Sequence, residues 1–177
     1  MRSVSLFSPD PAGGWLPWGV LVPVLCLLFV ALPDVGGGVL MQRAGLVDDK
    51  WHPVGFAGLV AFLVGPFAAS GLVVWAWVRW VEQRTLASIG LVHTGAGGQY
   101  ARGLAVGVMT SLAVVCTIWL AGGYQAQGYG LAFASPVALI QMSVLLLSFV
   151  VQAGVEEILF RGWMMSALAR KFNVTTA

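Results

Sequence analysis

The sequence predicts an all-α protein, a polytopic transmembrane helical bundle of about four spans followed by a short C-terminal interfacial helix. Of the 177 residues, 59% are hydrophobic and 9% are charged, whereas a soluble domain carries about 25% charged residues. The few charges also lie between long uncharged runs. A run of roughly 20 apolar residues is long enough to cross the hydrocarbon core of a bilayer as a helix.

The uncharged runs define the expected spans. A polar lead, residues 1–14, precedes a single transmembrane domain, residues 15–177. The run between Arg102 and Glu156 is too long for one helix, and the glycine-rich segment 122–130 marks a turn between two spans. The four expected spans are about residues 15–32, 54–78, 103–121 and 137–157.

The segment Asp34–Pro53 is expected to be a loop, because glycines and charged residues replace the apolar run there. Within it, Gly36–Gly38 is expected to be flexible. His52 follows Asp49 and Lys50 closely, and this polar setting is typical of a solvated surface histidine.

Tryptophans mark the end of the second span. Trp75, Trp77 and Trp80 are expected to form an interfacial aromatic belt, with arginines just outside it. In the loop that follows, Thr85–Leu91 is expected to form a short interfacial helix that Gly90 closes.

Lysine and arginine are distributed unevenly between the two sides that four spans would define. A cytoplasmic N-terminus places seven basic residues in the inner segments and two in the outer loops, in agreement with the positive-inside rule. We therefore expect a multi-pass protein of the cell membrane with both termini cytoplasmic. Seven arginines against two lysines also favour a GC-rich, bacterial genome. The inner residues are Arg2, Arg79, Arg84, Arg102, Arg161, Arg170 and Lys171, and the outer ones are Arg43 and Lys50.

Composition argues against several classes of function. A net charge of +2 without a basic patch gives no nucleic-acid footprint. Cys26 and Cys116 fall in apolar runs without a CxxC spacing, which is typical of small buried residues. His52 and His93 are both expected in loops, and no HExxH motif is present. No metal and no cofactor are therefore expected.

The stretch from Gln152 to Gly162 places two adjacent carboxylates and an arginine at the end of the longest uncharged run. Ionisable groups beside lipid are costly, so they indicate a function. On a helix, Glu157 and Arg161 are one turn apart in the favourable order and are expected to pair. Glu156 lies about 100° round the helix axis and is left free. These three residues are the candidate catalytic residues.

Beyond this stretch, Gly162 is expected to end the helix, because a longer helix would overshoot the membrane. A short second helix then follows, ending at the membrane surface with Arg170 and Lys171. Its expected apolar face contains Trp163, Met164, Ala167 and Leu168.

The sequence Glu156-Glu-Ile-Leu-Phe-Arg161 at the end of a span resembles the EExxxR motif of the CPBP family, also called Abi. These are CAAX-protease and bacteriocin-processing intramembrane glutamic endopeptidases. Arg84–Leu91 is also similar to a segment that precedes the motif in many members. The resemblance covers the N-terminal part of the family domain, from about residue 84 onward.

This resemblance implies that Glu156 is the base that activates water for peptide hydrolysis. Glu157 and Arg161 would shape and neutralise the site. The implied partners are the lipid bilayer and a peptide or protein substrate whose identity the sequence does not give.

Two later motifs of the family, FxxxH and a histidine with an asparagine four residues on, are not found in the 177 residues. The resemblance implies that these supply the water-positioning histidine and the oxyanion donors. We therefore expect a chain truncated relative to the family domain and inactive alone, unless a partner chain or a C-terminal half completes it. The alternatives are a non-catalytic membrane immunity or scaffold protein on the same fold, and a transporter component.

Overall fold

The computed structural model describes residues 13–91, 96–123, 130, 133 and 135–169. Within these residues, four helices are long and apolar enough to cross a membrane, and no β-strand is present. The predicted all-α fold with about four spans is confirmed. The expectations for His93, for Arg170 and Lys171, and for most of the polar lead and of the turn at 122–130 lie outside the described residues.

The described helices follow one another along the chain with two π-helical interruptions. Stretches at Trp77–Val81 and Ile158–Met164 extend the second helix and join the fourth to the fifth. The chain divides into two compact units, Met1–Leu91 with Ile140–Ala177, and Val92–Leu139. The α-helices are α1 (Leu21–Arg43), α2 (Gly55–Ala76), α3 (Ala96–Leu120), α4 (Pro136–Glu157) and α5 (Met165–Ala169).

The first span begins later than expected, at Leu21 instead of residue 15. The segment before it lies against the end of the second span. The Gly14 backbone N–H donates to the Glu82 carbonyl oxygen at 3.1 Å, and the Trp15 N–H donates to that of Val81 at 3.0 Å. These hydrogen bonds hold residues 13–15 outside the helix.

The same span ends at Arg43, so the expected loop at Asp34–Pro53 is wrong over its first half. Gly36–Gly38, expected to be flexible, lies inside the helix. Gly38 packs on the Trp51 ring with no room for a Cβ atom. Packing of the glycine segment against the following loop therefore outweighs its low helix propensity.

A tight turn joins α1 to α2. Its Asp48 carboxylate accepts the backbone N–H groups of Lys50 at 2.9 Å and His52 at 2.7 Å. The His52 ring lies 3.2 Å from the same carboxylate and is largely exposed, which confirms a surface histidine. The hydrogen bond from the His52 backbone N–H is the main cause that lowers the pKa of Asp48.

The segment after α2 is close to expectation. A 3₁₀ turn spans Leu86–Ile89, and Gly90 ends it in the left-handed conformation with φ +88°. Glycine adopts this conformation without the steric cost of a Cβ atom. The predicted short helix closed by Gly90 is confirmed.

Gly162 does not end the helix, so that expectation is wrong. It lies within the π-helical stretch, buried against the Ile89 carbonyl oxygen. Its missing side chain permits close contact with the 3₁₀ turn, and the helix continues to Ala169. The expected apolar face beyond it is confirmed: Trp163 and Ala167 are buried, and Met164 and Leu168 pack against the core.

One core holds the first compact unit together. Cys26 belongs to it, as expected, but Cys116 on α3 is exposed, contrary to expectation. Apolar side chains of a membrane span need no protein contact, because lipid is itself apolar. The buried members of the core are Val22, Cys26, Phe29, Val74, Val78, Ile89, Leu159, Trp163 and Ala167.

Replacing Gly162 by alanine is expected to destabilise the protein. The new Cβ atom would lie 2.7 Å from the Ile89 carbonyl oxygen, which belongs to the backbone and moves with difficulty. Overpacking of this kind costs about 1–3 kcal/mol. The free energy of unfolding in mixed micelles measures the effect. The matched control is Gly154→Ala on the same helix, where no described atom lies within 4 Å. Equal stability of the two variants would contradict the close contact.

The pKa of Asp48 gives a test by titration. Because it is lowered, the stabilisation from this carboxylate is present above the ordinary value of 3.8 and is lost as pH falls through the lower folded value. Carboxyl ¹³C NMR follows the titration. His52→Ala keeps the backbone N–H, so the pKa is expected to stay low. A return to the ordinary value in that variant would show that the imidazole ring, not the backbone, lowers it.

Candidate active site

The candidate catalytic residues lie where α4 passes into the π-helical stretch. Glu156 and Glu157 are the last residues of α4, and Arg161 follows within the stretch. The Arg161 Nη1 lies 3.1 Å from the Glu157 Oε2, so the predicted ion pair is confirmed. Both side chains of this pair are more than half exposed.

Glu156 has a different environment. No described Lys, Arg or His forms an ion pair with it, and the Gln152 Nε2 donates to its Oε1 at 3.4 Å. The residue lines a cavity of about 220 Å³, here named the Glu156 cavity, whose surface is mainly apolar. The cavity is lined by Val30, Phe67, Ser70, Val155, Glu156, Leu159 and Phe160.

Glu157 and Arg161 line a second cavity of about 220 Å³, against the 3₁₀ turn after α2. The two adjacent carboxylates therefore do not share a cavity, and the helix separates them onto neighbouring faces. Glu157 lies beside a cation, whereas Glu156, which is also exposed, lines a mainly apolar cavity. The second cavity is lined by Ile89, Gly90, Leu91, Glu157, Ile158, Arg161 and Gly162.

A buried ion pair near this site was not predicted. Glu82 and Arg84 follow the second span and are almost completely buried. The Arg84 Nε donates to the Glu82 Oε2 at 2.6 Å. Its Nη2 lies 2.5 Å from the same oxygen, but outside hydrogen-bonding geometry. The contact is an ion pair with one aligned hydrogen bond.

Three further side chains complete this cluster, here named the polar clamp (Trp77, Glu82, Arg84, Trp163 and Ser166). The Glu82 Oε1 accepts the indole N–H of Trp77 at 3.0 Å and that of Trp163 at 2.9 Å. The Arg84 Nη1 contacts the Ser166 Oγ at 3.3 Å. The clamp thus joins the end of the second span to the helix that carries the candidate catalytic residues.

From the sequence, Arg84 is expected outside the membrane and Trp77 in an aromatic belt. Trp75 and Trp80 do fit a belt, since they are exposed and pack edge to face at 5.5 Å. Trp77 instead turns inward. A charge after a span has the same sequence pattern whether it faces solvent or a buried partner. The available signal was the family-like segment that begins at Arg84.

The histidines do not contribute to the described part of this site. His52 pairs with Asp48 in the turn between α1 and α2, and His93 lies outside the described residues. Over residues 13–91, 96–123 and 135–169, no three His, Cys, Asp or Glu side chains are grouped as metal ligands.

The helices and the site define a class: a polytopic membrane protein with a carboxylate pair and an arginine at the end of a span. Residues 138–177 match the family described as type II CAAX prenyl endopeptidase Rce1-like. This segment contains Glu156, Glu157 and Arg161. Over residues 138–177 the chain is therefore similar to part of a domain of the CPBP (CAAX protease) family. Searches of curated proteins and of solved structures find no match.

Removing one partner of the buried pair is expected to be far more destabilising than breaking the exposed pair. Glu82→Ala leaves the Arg84 guanidinium buried without its carboxylate, which costs about 3–5 kcal/mol. Glu157→Ala breaks a solvent-accessible pair worth less than about 1 kcal/mol. The free energy of unfolding in mixed micelles, measured for both variants, compares the two losses of stability. A similar loss for both variants would contradict the burial of Glu82 and Arg84.

Proposed function

We propose that this protein is an intramembrane endopeptidase of the CPBP type, in which Glu156 activates a water molecule for hydrolysis of a peptide bond. We further propose that it resides in a bacterial cell membrane with both termini in the cytoplasm. The substrate is a peptide or protein segment that reaches the site from the membrane or its surface.

One observation carries this proposal. The Arg161 guanidinium lies 3.1 Å from Glu157, whereas Glu156 forms no ion pair with a described residue and lines a largely apolar cavity. A carboxylate beside a cation is a poor proton acceptor, because the cation stabilises its charged form. Glu156 is the carboxylate available as a general base. The division of roles implied by the resemblance agrees with this geometry.

In the proposed reaction, Glu156 accepts a proton from water while the water oxygen attacks the peptide carbonyl carbon. The carbonyl oxygen takes the negative charge of the tetrahedral intermediate. The proton then passes from Glu156 to the departing amine as the carbon–nitrogen bond breaks. Such general acid–base catalysis contributes about 10²–10⁴-fold to the rate.

The developing oxyanion also needs hydrogen-bond donors, and loss of one donor costs about 10²–10³-fold. The resemblance assigns these donors to histidine and asparagine motifs that the 177 residues do not contain. The proposal therefore includes a second polypeptide segment that supplies them at the membrane.

The location of His52 favours a second candidate, a non-catalytic membrane protein on the same fold. This histidine is on the connection between α1 and α2 and pairs with Asp48, so it is engaged away from Glu156. In that case the carboxylates and Arg161 would serve structure or partner binding.

A peptide-cleavage assay tests the proposal. Membrane vesicles from the cells that naturally produce the chain, in which the proposed second segment is also present, are expected to cleave a fluorescence-quenched peptide of apolar residues. The rate is expected to exceed that of vesicles from cells whose gene for this chain is deleted. Glu156→Gln is expected to lower this added rate by about 10²-fold or more, because the amide is not a general base.

The control is Asp49→Asn, which alters an exposed carboxylate in the turn between α1 and α2 and should leave the rate unchanged. Equal rates with and without the chain, or full activity of Glu156→Gln, would favour the non-catalytic candidate.

A further inference from the structure

The π-helical stretch Ile158–Met164 links the candidate carboxylates to the polar clamp and itself contains Trp163. Glu156 and Glu157 precede it, whereas Ser166 follows it. A π-helix pairs residue i with i+5 and holds more residues per turn than an α-helix. The directions of side chains before and after it therefore differ from those on a continuous α-helix. The stretch therefore changes the direction of Glu156 relative to Trp163 and Ser166.

π-Helical geometry is rare, so tertiary contacts must favour it here. Three contacts do so from the buried face of this segment. The Trp163 indole N–H donates to the Glu82 Oε1 at 2.9 Å, and Ser166 contacts Arg84 at 3.3 Å. Between the stretch and the 3₁₀ turn, Gly162 lies against the Ile89 carbonyl oxygen.

The clamp residues at the end of the second span are also held by hydrogen bonds. Glu82 follows the other π-helical stretch, Trp77–Val81, and the Trp77 indole donates to the same Oε1 at 3.0 Å. The Oε2 is occupied by Arg84. Both carboxylate oxygens of Glu82 therefore have hydrogen-bond partners. Rotation of either helix would break some of these hydrogen bonds.

A buried ion pair is a weak source of stability compared with apolar packing of the same volume. Its hydrogen bonds, however, demand particular distances and directions. We propose that Glu82 and Trp163 are positioning residues: through the polar clamp they hold the π-helical stretch and thereby set the direction of Glu156. The inference rests on the proposed function for the role of Glu156, but its test measures position alone.

The contact between α2 and α4 provides a reporter beside Glu156. A Cβ atom built on Gly71 would lie 4.0 Å from the Val155 Cβ. This separation lies within the range of about 3.5–4.5 Å that a disulfide requires. Gly71→Cys with Val155→Cys, in a background of Cys26→Ala and Cys116→Ser, should therefore cross-link readily under mild oxidation.

In this reporter, Trp163→Phe removes the indole N–H and keeps an aromatic ring. Cross-linking is expected to slow by about tenfold or more, because a displacement of about 1 Å strongly reduces the rate between fixed groups. Trp80→Phe is the matched control, since Trp80 is exposed and outside the clamp. Circular dichroism and gel filtration verify the fold of each variant.

A cross-linking rate for Trp163→Phe that equals or exceeds that of Trp80→Phe would overturn the proposal. If Trp163→Phe does not fold, Ser166→Ala is judged by the same criterion. This variant removes the Arg84 contact and the hydrogen bond from the Ser166 hydroxyl to the Trp163 carbonyl oxygen. The outcome is independent of the cleavage test. If Trp163→Phe slows cross-linking but Glu156→Gln remains active, the positioning role is retained and the proposed function is rejected. If Trp163→Phe leaves cross-linking unchanged but Glu156→Gln is inactive, the proposed function is retained and the positioning role is rejected.

Discussion

The ion pair of Glu82 and Arg84, with two indole N–H groups on one carboxylate oxygen, is the interaction on which the rest of the described site depends. It joins the end of the second span to the helix of the EExxxR motif. Two charges placed in a protein interior lose their hydration, and only well-directed partners offset that cost. The arrangement tolerates little rotation of either helix, and so it fixes geometry more than it adds stability.

Close backbone contact supports the same arrangement. Gly162 meets the carbonyl of Ile89 on the face that also carries Trp163. Glycines serve a similar purpose on α1, where Gly38 accommodates the Trp51 ring. Helices in membranes have little hydrophobic drive to associate with one another, so small residues that allow close packing become important. The abundance of glycine in this chain is thus linked to helix contacts as well as to turns.

The proposed function depends on an asymmetry between two neighbouring carboxylates. Glu157 and Glu156 are chemically identical and adjacent, yet among the described residues only Glu157 has a cation beside it. The helix directs them towards different cavities, one against the 3₁₀ turn and one between α1, α2 and α4. Two adjacent residues therefore differ in whether a described cation pairs with the carboxylate, and the proposal assigns proton transfer to the unpaired one.

Composition and helical spacing by themselves determined the membrane bundle, the approximate spans and the pairing of Glu157 with Arg161, because hydropathy and i,i+4 spacing are local properties. Only the tertiary structure decided that Gly36–Gly38 is helical, that Gly162 is a contact point, and that Trp77 and Arg84 turn inward. Each of these depends on which distant residue lies opposite, such as Trp51, Ile89 or Ser166. A pattern along one chain segment does not contain that information, since the same residues suit solvent, lipid or a buried partner until the helices pack.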